Sequence, residues 1–134
     1  MKKVMVFGVF DGLHEGHKNF LKEAKKSGEY LIVALAQDHI VRDLKKHDPK
    51  YNFGERLAHL EAEDAVDEVV IGDAKLSTWG VVNKYRPDVV VLGYDQRMLE
   101  EDLKKYLVKL DFNPELKVAS SFEPNEYKSS IINK

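Results

Sequence analysis

Two histidines three residues apart, His14 and His17, follow a glycine-rich run, Gly8-Val9-Phe10-Asp11-Gly12-Leu13, which itself follows the apolar segment Val4-Met5-Val6-Phe7. That order reads as a strand, a tight turn and a helix start. A helix start offers backbone N–H groups without internal partners and the positive end of the helix dipole, so it attracts phosphate. Glycine lets the backbone approach a ligand closely. Imidazole adds ring N–H donors, and a positive charge when protonated. The chemistry supported here is phosphate binding through Gly8, Val9, Phe10, His14, Glu15, Gly16 and His17. The competing readings are a glycine turn with solvated histidines and a metal site. Zinc is disfavoured because no third ligand is obvious and the chain has no cysteine.

A chain of 134 residues is long enough for one compact domain with a real core, and a single domain over 1–134 is expected. With 43% hydrophobic and 33% charged residues, the composition is that of a soluble globular protein. A formal net charge of −2 gives no electrostatic reason to expect nucleic-acid binding. The lack of cysteine excludes disulfides, a thiol nucleophile and cysteine-ligated metal, and fits a reducing compartment. The N-terminal apolar run is too short, and too soon followed by Asp11, for a signal peptide. No apolar run approaches the length of a membrane span. A cytoplasmic protein with no membrane association is therefore expected.

The elements that must position the histidines alternate. Residues 3–7 suit a strand buried on both faces. Phe20, Leu21 and Ala24 recur at helical spacing, and Gly28 is a natural stop. Residues 30–36 form a second buried strand, completing a βαβ unit whose crossover should be right-handed. Residues 37–51 read as a lysine-rich loop with a short helix near 40–44. Asn52 with Glu55 resembles a capping box, opening a helix with Leu57 and Leu60 inward. Strands are expected at Glu68–Ile71, Val89–Leu92 and residues 117–119. Ser77 is the expected cap of a helix presenting Val81, Val82 and Tyr85, stopped by Pro87. Leu99, Leu103, Tyr106, Leu107 and Leu110 form a helical core stripe. Trp79 packs, and His39, His47 and His59 join no constellation.

This alternation implies an α/β fold, a Rossmann-like five-stranded parallel sheet of order 3-2-1-4-5 with helices on both faces. Ligands of such sheets sit beyond the strand C-termini, where the strand order reverses. The Gly8 turn and the Leu92-Gly93-Tyr94-Asp95-Gln96 turn then line one cleft. Asp95 there is either an acceptor for a ribose hydroxyl, a base amine or metal-bound water, or a turn and cap residue. Asp38, after the second strand, has a similar choice between the nucleotide site and a loop role.

The pattern G-x-F-D-x-x-H-x-G-H over residues 8–17 resembles the signature of the cytidylyltransferase-type nucleotidylyltransferases. In that family the two histidines hold a nucleoside triphosphate and no covalent enzyme intermediate forms. The resemblance implies catalytic roles for His14, His17, Arg56 and Lys45. Arg56 matches a family arginine in an R-x-x-x-L setting and would bridge phosphate oxygens; the alternative is a solvated helix arginine. Lys45 stands where family members place a phosphate-binding lysine, and Lys46 is chemically equivalent. Tyr127-Lys128-Ser129-Ser130 resembles the family's C-terminal motif, which caps the phosphates; a plain helix cap is the alternative. Gly93, Asp95, Tyr127, Ser129 and Ser130 complete the expected nucleotide site. Val9 stands where many relatives carry Thr, and the chain stops soon after Ser130.

Gly93-Tyr94-Asp95-Gln96, Val66 to Asp73 and Tyr127 to Ser130 together resemble the archaeal FAD synthases most. That implies transfer of AMP from ATP to FMN by direct in-line attack, with pyrophosphate leaving and a divalent cation, magnesium by expectation, on the triphosphate. CTP with glycerol 3-phosphate is the runner-up, and a catalytically silent nucleotide-binding module is a third reading. The intact histidine pair argues against the last. A homodimer is a family expectation.

Overall fold

A computed structural model of the chain describes residues 1–119. The elements in order are β1 (Lys3–Gly8), α1 (Glu15–Lys25), β2 (Tyr30–Leu35), α2 (Asp38–Lys45), α3 (Phe53–Glu61), β3 (Glu68–Ile71), α4 (Gly80–Tyr85), β4 (Val89–Leu92), α5 (Arg97–Leu107) and β5 (Glu115–Val118). The strands form one five-stranded sheet in the order β3-β2-β1-β4-β5, and every pairing is parallel. This is the expected strand order.

Side chains alternate across a strand, and here both faces are covered. Val4, Val6, Leu31, Val33, Leu35, Val89 and Val91 share one core with Leu21 and Ala24 of α1 and Leu60 of α3, with Leu57 packed against it. Met5, Ile32, Ala34, Val70, Val90 and Leu92 share the other with Val81 and Val82 of α4 and Leu103 of α5. The stripe of Leu99, Tyr106, Leu107 and Leu110 packs on this second core. Trp79 is buried there too, edge-on to Phe7 at 5.2 Å, with its indole N–H donating to Asp102 at 2.8 Å. It packs, as the sequence suggests.

The strand ends are aligned on the edge that carries the cleft. The amide of Ala36 donates to the carbonyl of Gly8 at 3.0 Å, that of Gly72 to Leu35 at 2.8 Å, and that of Ala119 to Leu92 at 2.8 Å. Pairing between β1 and β2 runs the whole length of both, from Lys3 with Tyr30 to Gly8 with Leu35. Between β1 and β4 it is confined to Val4 with Val89 and Met5 with Val90. The two strands therefore part toward their C-terminal ends, and a crevice opens at the reversal of strand order.

Three local expectations are corrected. Residues 37–51 contain a full helix, α2, because Ile40 and Val41 are buried and anchor it. The last strand is Glu115–Val118 rather than 117–119, an edge strand with mostly exposed side chains. Ser77 does not cap α4. That helix starts after Trp79, and the Asp73 carboxylate, held just past β3, accepts from the Val81 amide at 3.1 Å.

The Asn52 capping box forms in both directions: Glu55 N–H donates to Asn52 Oδ1 and Asn52 N–H to Glu55 Oε1, each at 2.9 Å. Asn52→Ala is expected to destabilise the fold by about 1 kcal/mol, measured by urea unfolding; an unchanged midpoint would mean that the cap is redundant.

Candidate active site

His14 is the N-cap residue of α1 and His17 its third helical residue, and each imidazole serves the other's backbone. The His17 amide donates to His14 Nδ1 at 3.3 Å, and the His14 amide to His17 Nδ1 at 3.4 Å. This is a capping box built from two imidazoles. The rings stack with centroids 3.7 Å apart and planes 18° from parallel. A nitrogen that accepts a hydrogen bond carries no proton. Each ring therefore has its proton on Nε2, and the His17 ring is also hydrogen-bonded to the Gly12 backbone, which works to raise its pKa. Burial, and then the neighbouring His14, push the His17 pKa below its ordinary value, so His17 is neutral near pH 7.

Two glycines of the motif answer to these rings. A Cβ on Gly16 would lie 2.9 Å from His14 Cε1, so only glycine lets that ring fold back over the helix start. A Cβ on Gly8 would lie 2.5 Å from the Phe10 ring. Phe10 itself is buried, with a left-handed backbone at φ 49°, and its ring meets His17 edge-on at 5.3 Å. The sequence placed Phe10 at the nucleotide; its side chain is instead core, leaving the backbone for a ligand. Glu15 is exposed and Gly16 half-buried, and their amides are among those with no carbonyl four residues earlier in the helix.

Arg56 is neither solvated nor open to phosphate through its whole fork. It is fully buried. Its Nε donates to the Tyr51 carbonyl at 2.9 Å, Nη1 to the Val9 carbonyl at 2.9 Å and Nη2 to Asp38 Oδ1 at 2.6 Å. Asp38 thus takes a structural role as the partner of this charge. Asp11 fastens the same loops from the other side, accepting from the Lys50 and Tyr51 amides at 2.7 and 2.8 Å. Burial alone would raise the Asp11 pKa. Those two amides, then Arg56 and His47, outweigh it and hold the carboxyl below its ordinary range.

Across the crevice, Gln96 joins the ends of β4 and β1. Its Oε1 accepts from the Gly93 amide at 2.7 Å, and its Nε2 donates to the Phe7 carbonyl at 3.1 Å. Asp95 is exposed, and its charge is felt at His17. Lys45, exposed at the end of α2, also acts on His17. Lys46 sits in a left-handed cap, its amide bound to the Arg42 carbonyl. His14, Lys45 and Asp95 thus all act electrostatically on His17, and Gly8 and Gly93 stand at the ends of the adjacent strands β1 and β4. Tyr127, Lys128, Ser129 and Ser130 lie outside the described residues. His39 donates from Nε2 to the Ala74 carbonyl at 2.7 Å, and His59 packs edge-on to Tyr51, apart from the site. Among the described residues, no group of three or more His, Asp or Glu side chains gathers to hold a metal ion.

The sequence reading missed the bridging role of Gln96 and the structural role of Asp11, while the loop role it weighed for Asp38 is the one the Arg56 pair shows. Gln96 gives no periodic signal, because its value lies in two backbone groups far apart in the chain.

Comparison with known proteins shows the family. Residues 5–134 match the cytidylyltransferase-like family. The FAD synthase of Thermococcus sibiricus is 37% identical over 131 residues, covering 97% of this chain and 88% of that protein. The FAD synthase of Ferroglobus placidus is 42% identical over 118 residues, covering 87% and 74%. The crystal structure of the lipopolysaccharide core biosynthesis protein from Thermoplasma volcanium GSS1 has a TM-score of 0.84 at 34% identity, covering 92% of this chain and 99% of that one. The chain belongs to the cytidylyltransferase-like family, and the resemblance to the FAD synthases is borne out over nearly its whole length.

Arg56→Ala is expected to cost about 3–5 kcal/mol in unfolding free energy, because it strands the Asp38 charge and two carbonyls. Chemical denaturation checks this, and a loss below 1 kcal/mol would show that water replaces the guanidinium. A second expectation concerns pH. Because the folded pKa of His17 lies below the unfolded one, its contribution to stability is complete above the ordinary imidazole value. It is lost as the pH falls from there through the folded pKa. NMR titration of the ring should give a midpoint below that of a free histidine; a midpoint at or above it overturns the assignment.

Proposed function

We propose that the protein transfers AMP from ATP to FMN, giving FAD and pyrophosphate. The observation that carries this reading is the imidazole pair at the start of α1. Both Nδ1 atoms are bound to the backbone, so each ring carries its N–H on Nε2 at the helix start; the His17 ring would exchange its bond to the Gly12 backbone for a phosphate oxygen. The choice of FMN as acceptor is supported by the identity to FAD synthases across most of the chain.

In the reaction, a phosphate oxygen of FMN attacks the α-phosphorus of ATP. A new P–O bond forms, the bond from the α-phosphorus to the bridging oxygen breaks, and pyrophosphate leaves with the electron pair. The attacking group is already an anion near neutral pH, so no general base is required. Catalysis reduces to holding the reactants in line and stabilising the charge that gathers on the α-phosphate and the leaving group. His14 and His17 donate to those oxygens from fixed positions, beside the free amides at the start of α1. Lys45 adds positive charge at the rim, and Lys46 is the alternative to it. Asp95 accepts from the ribose or the base. Arg56 acts as a positioning residue, holding the Val9 turn rather than touching phosphate. A divalent cation, magnesium in this reading, would enter with the triphosphate as part of the substrate and would neutralise charge on it.

Incubation with magnesium, ATP and FMN is expected to yield FAD and pyrophosphate, separated by chromatography, with CTP and glycerol 3-phosphate poor substrates. His17→Ala should lower turnover by about 10²–10³-fold in a folded protein. CDP-glycerol without FAD would replace the acceptor and the base while keeping the reaction type. Near wild-type turnover in the variant would remove the histidine role.

A further inference from the structure

The sheet edge that carries the histidine turn continues past β2 and β3 into an open depression of about 320 Å³, lined by Gln37, Asp38, His39, Arg42, Phe53 and Ile71. The mechanism above uses no atom of its wall for the nucleotide. By strand order, it lies on the opposite side of β1 from Gly93 and Asp95. Two substrates meeting at the β1 turn would then approach from opposite flanks.

The lining has an apolar part and a polar part. Ile71 ends β3 with 61% of its surface exposed, although its neighbour Val70 is buried. The half-buried Phe53 ring supplies a second apolar surface. Most of the polar side chains are already engaged: Gln37 donates to the Gly72 carbonyl, Asp38 pairs with Arg56, and His39 bonds to the Ala74 carbonyl. Arg42 differs. Its one ion pair among the described residues is a 3.4 Å contact with exposed Asp48, so most of its guanidinium donors remain available. The site thus offers apolar walls and one bidentate donor for carbonyl oxygens, and such a lining suits a flat heteroaromatic ring with a polar edge.

Distance and rigidity agree. Neighbouring strands are about 4.8 Å apart, so the ends of β2 and β3 lie about 5–10 Å from the β1 turn. That is the order of reach of a five-carbon polyol. The wall and the phosphate turn also form one connected piece, because Arg56 binds Asp38 of the depression with one nitrogen and the Val9 carbonyl with another. A volume near 320 Å³ stands at the lower end of ligand pockets, about 300–1,000 Å³. It holds a ring system, not a whole dinucleotide.

We propose that this depression receives the isoalloxazine ring of the acceptor. The ring's dimethylbenzene end lies against Ile71 and Phe53, its pyrimidine carbonyls face Arg42, and its ribityl chain runs along the sheet edge to bring the phosphate to His14 and His17. The assignment rests on the FMN-adenylylating reading. Ile71 and Arg42 are both exposed, so Ile71→Asp and Arg42→Ala leave folding intact, as thermal melts will check. Each is expected to raise KM for FMN by about tenfold or more with KM for ATP unmoved. Riboflavin, which has the ring but no phosphate, should compete with FMN on the wild-type protein and lose that competition in Ile71→Asp. Unchanged KM for FMN in both variants overturns the proposal, and so does a parallel rise in KM for FMN and ATP. A wild-type protein that binds ATP but makes no FAD removes the underlying reading instead, so the two failures are distinguishable.

Discussion

A guanidinium withdrawn from water must find acceptors or it opposes folding by several kcal/mol. Arg56 finds three, and they belong to three different pieces of the chain: the Val9 turn after β1, the Tyr51 loop before α3 and Asp38 at the start of α2. Two of these pieces are loops without a hydrogen-bond ladder of their own, and the third is the first turn of a helix. The buried charge makes each position obligatory, since a shift of any one leaves an unpaired group in the interior. Asp11 ties the same turn to Lys50 and Tyr51 with the opposite charge. The histidine pair therefore stands on a base held by electrostatics, while the sheet beneath is held by apolar packing.

This division explains the chemistry. A site that stabilises charge must have its donors aimed before the charge appears. The imidazoles meet that requirement without counter-charges, because helix amides consume their Nδ1 atoms and the stacked rings restrict each other. Glycine at positions 8 and 16 makes room for side chains, the Phe10 and His14 rings, more directly than for a ligand.

Much of the fold was legible because burial on both faces leaves a mark that local sequence can carry. The runs at residues 3–7, 68–71 and 89–92 were strands as read, and Asn52 with Glu55 opened α3. The histidine motif was legible for a different reason: its residue types are rare at that spacing. What escaped depended on partners far away in the chain. Ser77 has the chemistry of a cap, but the Asp73 carboxylate reaches the helix first. Arg56 was expected at a phosphate, although it stands on the same stripe as Phe53 and Leu60, the inward face of α3. That spacing was a usable signal. It says that the side chain goes inside, but not which carbonyls await it.

Where β1 and β4 part, the ladder between them gives way to one side chain, that of Gln96, which spans from the Gly93 amide to the Phe7 carbonyl. A ladder would draw the strands together, and a water bridge would let the gap vary. A single planar amide, bound at its oxygen and its nitrogen, does neither. The gap at the top of the sheet is thereby set by the width of one amide, and Asn, which carries the same amide on a stem one methylene shorter, would keep that width only by drawing the start of α5 inward.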